Sequence, residues 1–344
     1  MSVEVSKEEA EKAQAQVADA ASEEFVDAAE EEVVDGETFA VSKEELTILR
    51  AEIASEFPDD YEYLSDAYIL SVASKPYSKD PTKRRPLDYS QEKLNDVMQW
   101  RQDSGASEIE EWVKLANGPE TAPEAVENPA LLAKAKAMVV SLNTGSIYFH
   151  GYTKEGKPIL WLRTNRKHWY PDNDAECNGL IAVADAGIRF GMPPDVTDFV
   201  CIADSSYPPP PNPAFLIKLL KALVKGYPDR LHKLYSAPIS SIVQFVMNLL
   251  LPLMPGRLAS KVVLQDTNAN VETLKDLLLG GEKEIPTFMG GTADHDQWYP
   301  EETKCPNRGQ GTLKFDYFGM VERLKKAKEE YLEYKASQQN GDAK

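Results

Sequence analysis

Side chains able to do chemistry are few in this chain of 344 residues. Its four histidines are His150, His168, His232 and His295, and none stands three to five residues from another histidine or a cysteine. A zinc site of familiar spacing is therefore missing. His295 lies between Asp294 and Asp296, a trio that reads either as a metal-binding set or as an exposed polar loop. Cys177, Cys201 and Cys305 are odd in number and form no C-x-x-C. That removes zinc ribbons and thioredoxin-like redox chemistry, and it points to a reducing compartment. No G-x-S-x-G elbow, P-loop or strand-borne G-x-G-x-x-G occurs, and Gly309-Gln-Gly311 reads as a turn. With no nucleophile beside a base, a non-enzymatic protein is expected.

Three other patterns carry physical content. Arg163, Arg166, Lys167 and His168 stand with Trp169 and Tyr170; this basic and aromatic group reads either as a membrane-surface patch for anionic headgroups or as an ordinary polar loop. Lys79, Lys83, Arg84 and Arg85 form a weaker group of the same kind. The stretch from Ile239 to Met254 is apolar nearly all round, with Ile242, Val243, Phe245, Val246, Leu249, Leu250 and Leu253. A helix of that composition is buried or meets lipid. It is shorter than the about 20 residues a membrane span needs and is interrupted by Ser240, Ser241, Gln244, Asn248 and Pro252. Pro252, Pro255 and Gly256 would end and hinge it. The prolines from Pro208 to Pro211 read as a stiff spacer or as a ligand for a proline-binding partner.

The surrounding elements must position these groups. Residues 1 to about 41 are acidic: thirteen acids against Lys7 and Lys12 by Glu37, or −11 of the net −18. Such a segment buries too little apolar area to order itself and reads as a disordered acidic tail. The remainder is only mildly acidic, so a local basic surface is allowed while general nucleic-acid binding is not expected. No basic, apolar leader opens the chain. Ser42-Lys-Glu-Glu45 is a capping box, followed by Leu46, Leu49, Ile53 and Phe57 at helical spacing. Further helices are expected over 66–73, 90–102 and from Asn128-Pro129. Pro76, Pro81 and Pro86 break the stretch between. From about residue 145 strands appear at Ile147–His150, Pro158–Leu162, Phe199–Ala203, Leu234–Ala237 and Val262–Leu264. They alternate with helices over 175–190 and from Phe215 to Val224, and a charged helix runs over 320–335. The expected class is α/β, a mostly parallel sheet covered by helices, with an all-helical N-terminal lobe.

Tyr227-Pro-Asp-Arg230, Tyr235-Ser-Ala-Pro238, the apolar helix, Ser260-Lys-Val-Val263 and Ile285-Pro-Thr-Phe-Met-Gly-Gly291 together resemble the CRAL-TRIO lipid-binding family. They are most similar to its branch that exchanges phosphatidylinositol and phosphatidylcholine. Trp100-Arg101, the Glu155-Gly-Lys-Pro-Ile159 turn and Asp204 at a strand end also match the family's order. After the tail over 1–41, the resemblance implies a helical lobe over 42–127 and a lipid-binding domain over 128–295 whose sheet and helices enclose an apolar pocket, leaving a C-terminal extension with a charged helix over 296–344. It implies one lipid held under a mobile gate of Ile242, Phe245, Val246, Leu249, Leu250 and Leu253, with no cofactor besides that lipid. A diacyl lipid exposes about 30 methylenes at ~0.8 kcal/mol each, so its carrier must hide the chains completely.

Departures from the family narrow the cargo. Phe199 and Cys201 stand where phosphatidylcholine binders carry hydroxyls, so choline lipid is disfavoured. Asp229 and Lys261 stand where phosphatidylinositol binders use an acid and a lysine, suiting inositol hydroxyls and a phosphate. Ile69-Leu-Ser-Val-Ala-Ser-Lys75 replaces an arginine-rich helix, and Leu258 replaces a threonine. The implied protein is cytoplasmic and peripheral, meeting a lipid and a membrane surface. The alternative is a regulatory module whose acidic tail or Pro208 run recruits a protein.

Overall fold

The computed structural model describes residues 38–77, 79–167, 172–210, 212–251, 254, 256–297 and 316–341. Most of the acidic tail lies outside the described residues, as do His168, Trp169, Tyr170, Pro211, Pro252, Leu253, Pro255, Cys305, Gly309 and Gly311.

The chain enters α1, Lys43–Glu56, through the capping box: Ser42 Oγ accepts from the Glu45 amide at 3.2 Å, and Glu45 Oε2 accepts from the Ser42 amide at 2.8 Å. Leu49 and Ile53 on its inner face are buried, with Phe57 beyond its end. Helix α2 is Asp66–Ala73, at the expected bounds. The proline-broken stretch that follows is a small antiparallel hairpin, β1 (Pro76–Tyr77) and β2 (Asp80–Arg84). Proline is tolerated there because each strand has a free edge. Helix α3, Leu87–Ser104, is longer than expected at both ends and stops at Gly105, whose φ of +75° a side chain would resist. Helices α4 (Ile109–Asn117), α5 (Pro123–Glu127) and α6 (Pro129–Leu142) complete the helical part. Asn128 precedes α6 with proline at the first helical position, yet its side chain makes no capping bond.

Five strands form the main sheet in the order β3-β4-β5-β6-β7. They are β3 (Ile147–Tyr152), β4 (Pro158–Arg163), β5 (Phe199–Asp204), β6 (Leu231–Ala237) and β7 (Val262–Leu264). β3 and β4 are antiparallel; every later pair is parallel. The connecting helices are α7 (Asn173–Ala186, continued by a π turn over Gly187–Gly191), α8 (Pro213–Gly226), α9 (Ser241–Leu250) and α10 (Gly256–Ala259). Because the strands step steadily in one direction, right-handed crossovers place these helices on one face. Helix α8 packs on α7 and on α3, and α9 packs on α8 through Leu249 against Leu216 and Ile217. The opposite face is covered by α11 (Thr267–Leu277), which packs on β6, and by Phe288 against Trp161. Helix α12, Tyr317–Gly341, covers β3 and the π turn; Tyr331 stacks on Tyr152 at 5.1 Å.

Two signature pairs join lobe to sheet. The Trp100 ring lies edge-on to Tyr227 at 5.6 Å, and a Cβ on Gly226 would overlap it. Arg101, fully buried, reaches Asp60 and Asp185 at 2.8 Å each, and the Tyr227 hydroxyl donates to Asp185 at 2.7 Å.

Candidate functional site

Alternation along the strands and the register between them assign side chains to faces. One face, beneath α7, α8 and α9, carries the row Phe149, Leu160, Cys201, Leu234 and Val262, and the row Leu162, Ala203, Ser236 and Leu264. In the first row Phe149, Leu160 and Cys201 are buried while Leu234 and Val262 are half-buried. In the second, Ala203 and Ser236 are buried while Leu162 and Leu264 are half-buried. Leu231, paired with Phe199 where β6 begins, is half-buried too. β6 is an interior strand, where apolar residues are normally covered on both faces.

Helix α9 follows β6 and belongs to the crossover on that face. Ser240 caps it, accepting from the Val243 amide at 3.3 Å, and Leu251 closes it, so it is shorter than the expected 239–254 stretch. Leu249 forms a small apolar cluster with Leu216, Ile217 and Phe245, separate from the main core. Leu250 is also buried, whereas Ile242, Phe245 and Val246 are half-buried. Half-covered apolar strands thus stand near a thinly packed apolar helix. Leu253 and the two prolines expected to hinge α9 lie outside the described residues; Gly256 opens α10.

Phe199 and Cys201 belong to the main core. Phe199 meets Phe149 edge-on at 5.6 Å. Burial pushes the Cys201 thiol up to about 12, and burial together with Glu176 pushes Cys177 up to about 11. Both stay protonated, and neither is a poised nucleophile.

Asp229 and Lys261 come to the same edge, where β6 and β7 begin. Asp229 sits in the turn before β6 at a φ of +62°, not in a helical turn, and pairs with Lys75 from the end of α2. Nearby, the Tyr68 hydroxyl donates to the Pro228 carbonyl at 2.8 Å. Lys261 Nζ donates to the Leu231 carbonyl, and its own carbonyl accepts from the Leu234 amide at 2.9 Å. Lys75 is the residue sequence reasoning passed over. It closes the segment that lacks the family's arginines and supplies a cation there.

The expected membrane patch is not a surface. Arg163 is 2% exposed and Arg166 is fully buried; Asp296 accepts from them at 2.7 and 2.8 Å, and Arg163 stacks on Phe288 at 3.8 Å. Lys167 pairs with buried Glu176 at 2.5 Å. The physical reason is that burying a guanidinium requires a carboxylate partner, and Asp296 provides one for two. In the weaker group, Arg84 pairs with Glu45, Lys83 with Asp80 at 2.7 Å, and Arg85 is buried.

His295 is likewise no exposed loop residue. It is 1% exposed, shares a 3.0 Å hydrogen bond with the Tyr148 hydroxyl, and packs edge-on against Trp161, Phe288 and His150. Burial, then His150 and Arg163, lower its pKa to about 3; burial and Arg323 lower His150 to about 4. Among the described residues no group of three His, Cys, Asp or Glu could hold a metal ion. Asp204, 2% exposed, accepts from the Ser206 amide at 3.0 Å, and burial raises its pKa. Pro208 to Pro210 are half-buried beside exposed Tyr207. No helix among the described residues is long and apolar enough to cross a membrane.

Residues 142–291 match the CRAL/TRIO domain model, and that stretch includes the whole sheet and α9. Among solved structures, 33 chains match. One, a crystal structure of Sfh5, is 10% identical with a TM-score of 0.44, over 85% of this chain and 94% of that one. No curated protein matches.

Proposed function

We propose, from the match of residues 142–291 to the CRAL/TRIO domain model, a non-enzymatic protein that binds a single lipid between the sheet and α9 and carries or presents it at membranes. The observation that supports this reading is the half-buried apolar end of the sheet under a helix with its own small apolar cluster. Leu231, Leu234, Val262 and Leu264 are the surface acyl chains would cover. Each methylene removed from water contributes ~0.8 kcal/mol, which supplies the driving force. Phe245, Ile242 and Val246, half-buried on α9, form the door that moves with it.

The proposed headgroup is phosphatidylinositol-like. Lys75 and Lys261 bring two ammonium groups, and Asp229 a carboxylate, to the edge where β6 and β7 start. Ammonium groups suit the phosphodiester and the carboxylate accepts from ring hydroxyls. On the strand, Phe199 and Cys201 offer no hydroxyl to a choline headgroup. The protein works as a peripheral cytoplasmic carrier.

The test is transfer of a fluorescent phosphatidylinositol from donor to acceptor vesicles. Wild type accelerates it above the spontaneous rate, and phosphatidylcholine is moved poorly. Failure with both lipids would remove the transfer reading; a preference for phosphatidylcholine would remove the headgroup assignment.

A further inference from the structure

Between Asp204 and Asp266 the chain holds seven lysines and arginines and one acid, Asp229, although its net charge is −18. This stretch supplies α8, β6, α9, α10 and β7. Helix α9 carries no charged residue, so the excess stands beside it. On α8, Lys218, Lys221 and Lys225 recur at intervals of three and four, which sets them along one side of the helix. Lys225 is exposed and forms no ion pair among the described residues. Lys218 pairs with Asp174 of α7, and both side chains are open to solvent. Arg230 is buried, Lys261 is turned to the Leu231 carbonyl, and Lys233 lies on the opposite face of the sheet. The α8 stripe is thus where the positive charge meets solvent.

The opposite charge is concentrated in one segment of the same chain. Residues 30–37 hold Glu30, Glu31, Glu32, Asp35 and Glu37, with no lysine or arginine. That run ends two residues before Phe39, whose amide donates to the Ser74 carbonyl at 2.8 Å; Arg84 Nη1 donates to the next carbonyl, Ala40, at 3.0 Å. Ser74 precedes Lys75, and the partner of Lys75, Asp229, stands four residues beyond Lys225. The acidic run therefore joins the fold near the C-terminal end of α8. The nine residues from Glu30 to Phe39 reach up to about 30 Å, whereas Lys218 to Lys225 spans about 10 Å of helix axis.

We propose that the acidic segment over residues 30–37 docks along the lysine stripe of α8 and withholds that surface, beside α9, from anionic membranes. Exposed ion pairs are individually weak, but the short connection to Phe39 gives an effective concentration of about millimolar, at which several weak pairs act together. Salt screens such pairs, so the contact loosens as ionic strength rises. An anionic bilayer presents the stripe with a continuous negative surface and displaces the segment. The docking itself does not depend on the lipid reading; its effect at membranes rests on that reading.

The test treats the full-length protein with a water-soluble carbodiimide, which joins carboxylates to lysines in contact, and maps the links within the monomer by peptide mass spectrometry. Links from residues 30–37 to Lys218, Lys221 and Lys225 are expected at low salt, falling about fivefold at about 0.5 M sodium chloride. Links spread evenly over lysines elsewhere, such as Lys134, Lys154 and Lys283, or none to α8, would overturn the docking. Sedimentation with vesicles of phosphatidylserine and phosphatidylcholine reads the consequence. Glu30→Gln, Glu31→Gln and Glu32→Gln combined are expected to tighten binding about tenfold, as the uncovered lysines add attraction at the bilayer. Glu4→Gln, Glu8→Gln and Glu9→Gln combined, the same change in net charge farther from Phe39, are expected to have a much smaller effect. An equal gain from both sets would reduce the effect to net charge and overturn the self-blocking contact. Vesicle binding by no variant would overturn the effect at membranes, while the links still decide the docking.

Discussion

Lys75, at the end of a helix in the N-terminal part, forms an ion pair with Asp229, which stands 154 positions later in the turn that leads into β6. Lys261 reaches the same edge from the other side, donating to the carbonyl of Leu231. Three charged groups from distant parts of the chain therefore meet where β6 and β7 begin. Such a cluster suits a polar headgroup whose tails run under α9.

Lys261→Ala and Asp229→Ala are each expected to slow phosphatidylinositol transfer about tenfold, since one charge-assisted hydrogen bond is worth about 1.5–3 kcal/mol. Lys75→Ala should act in the same direction. Vesicle transfer rates with inositol and choline lipids side by side check this. Equal losses for both lipids would point to a general defect rather than headgroup contacts.

Leu249 belongs to a small cluster with Leu216, Ile217 and Phe245, apart from the main core. Leu249→Ala should therefore loosen α9 without much effect on global unfolding, because local opening and global stability are separable. Hydrogen exchange should speed up over Ser241–Leu250 while the denaturation midpoint barely moves. A large fall in the midpoint would place the helix in the cooperative core instead.

Arg101 ties the lobe to the sheet through Asp60 and Asp185. Burial opposes its charge, yet Asp185, Tyr63 and Asp60 outweigh that effect and raise its pKa. Arg101→Ala leaves Asp185 buried with no guanidinium against it while Asp60 keeps Arg189 at 2.7 Å, a change of about 3–5 kcal/mol. Urea denaturation should report a loss of that order; a loss under about 1 kcal/mol would show that water relaxes the site.

His150 and His295 are held neutral, with pKa values near about 4 and about 3 in the fold against ~6.5 in an unfolded chain. Between those values the unfolded state binds more protons, so stability is complete above pH ~6.5 and declines as pH falls toward ~3. Each histidine adds at most ~1.4 kcal/mol per pH unit to the slope. Melting temperature measured from pH 7 to pH 4 should fall, and should fall less steeply in His295→Phe.

Much of the fold was legible in the sequence because strands covered on both faces write themselves as short apolar runs. Phe199 to Ala203 is such a run, buried throughout; Val262 to Leu264 reads the same way and is a strand, although it stands at the sheet edge and is only half-buried. The β1–β2 hairpin was not legible, since Pro76 and Pro81 read as breakers and only pairing shows that they occupy free edges. Arg163 and Arg166 looked like a surface patch because their partner, Asp296, lies 133 and 130 positions away. His295 was misread for a similar reason, its aromatic neighbours Tyr148 and Trp161 being brought from β3 and β4. Asp229 and Lys261 were identifiable as candidates from motif order; Lys75 was not, as one lysine after an apolar helix carries no signal by itself.

Native mass spectrometry of protein purified without detergent, followed by solvent extraction and lipid analysis, tests the proposed lipid site most directly. One diacyl lipid per chain, lost or reduced when Leu234 and Val262 are replaced by larger side chains, is the expected result. A homogeneous apo mass and a lipid-free extract, from protein that also takes up none from vesicles, would contradict a lipid-filled space beneath α9.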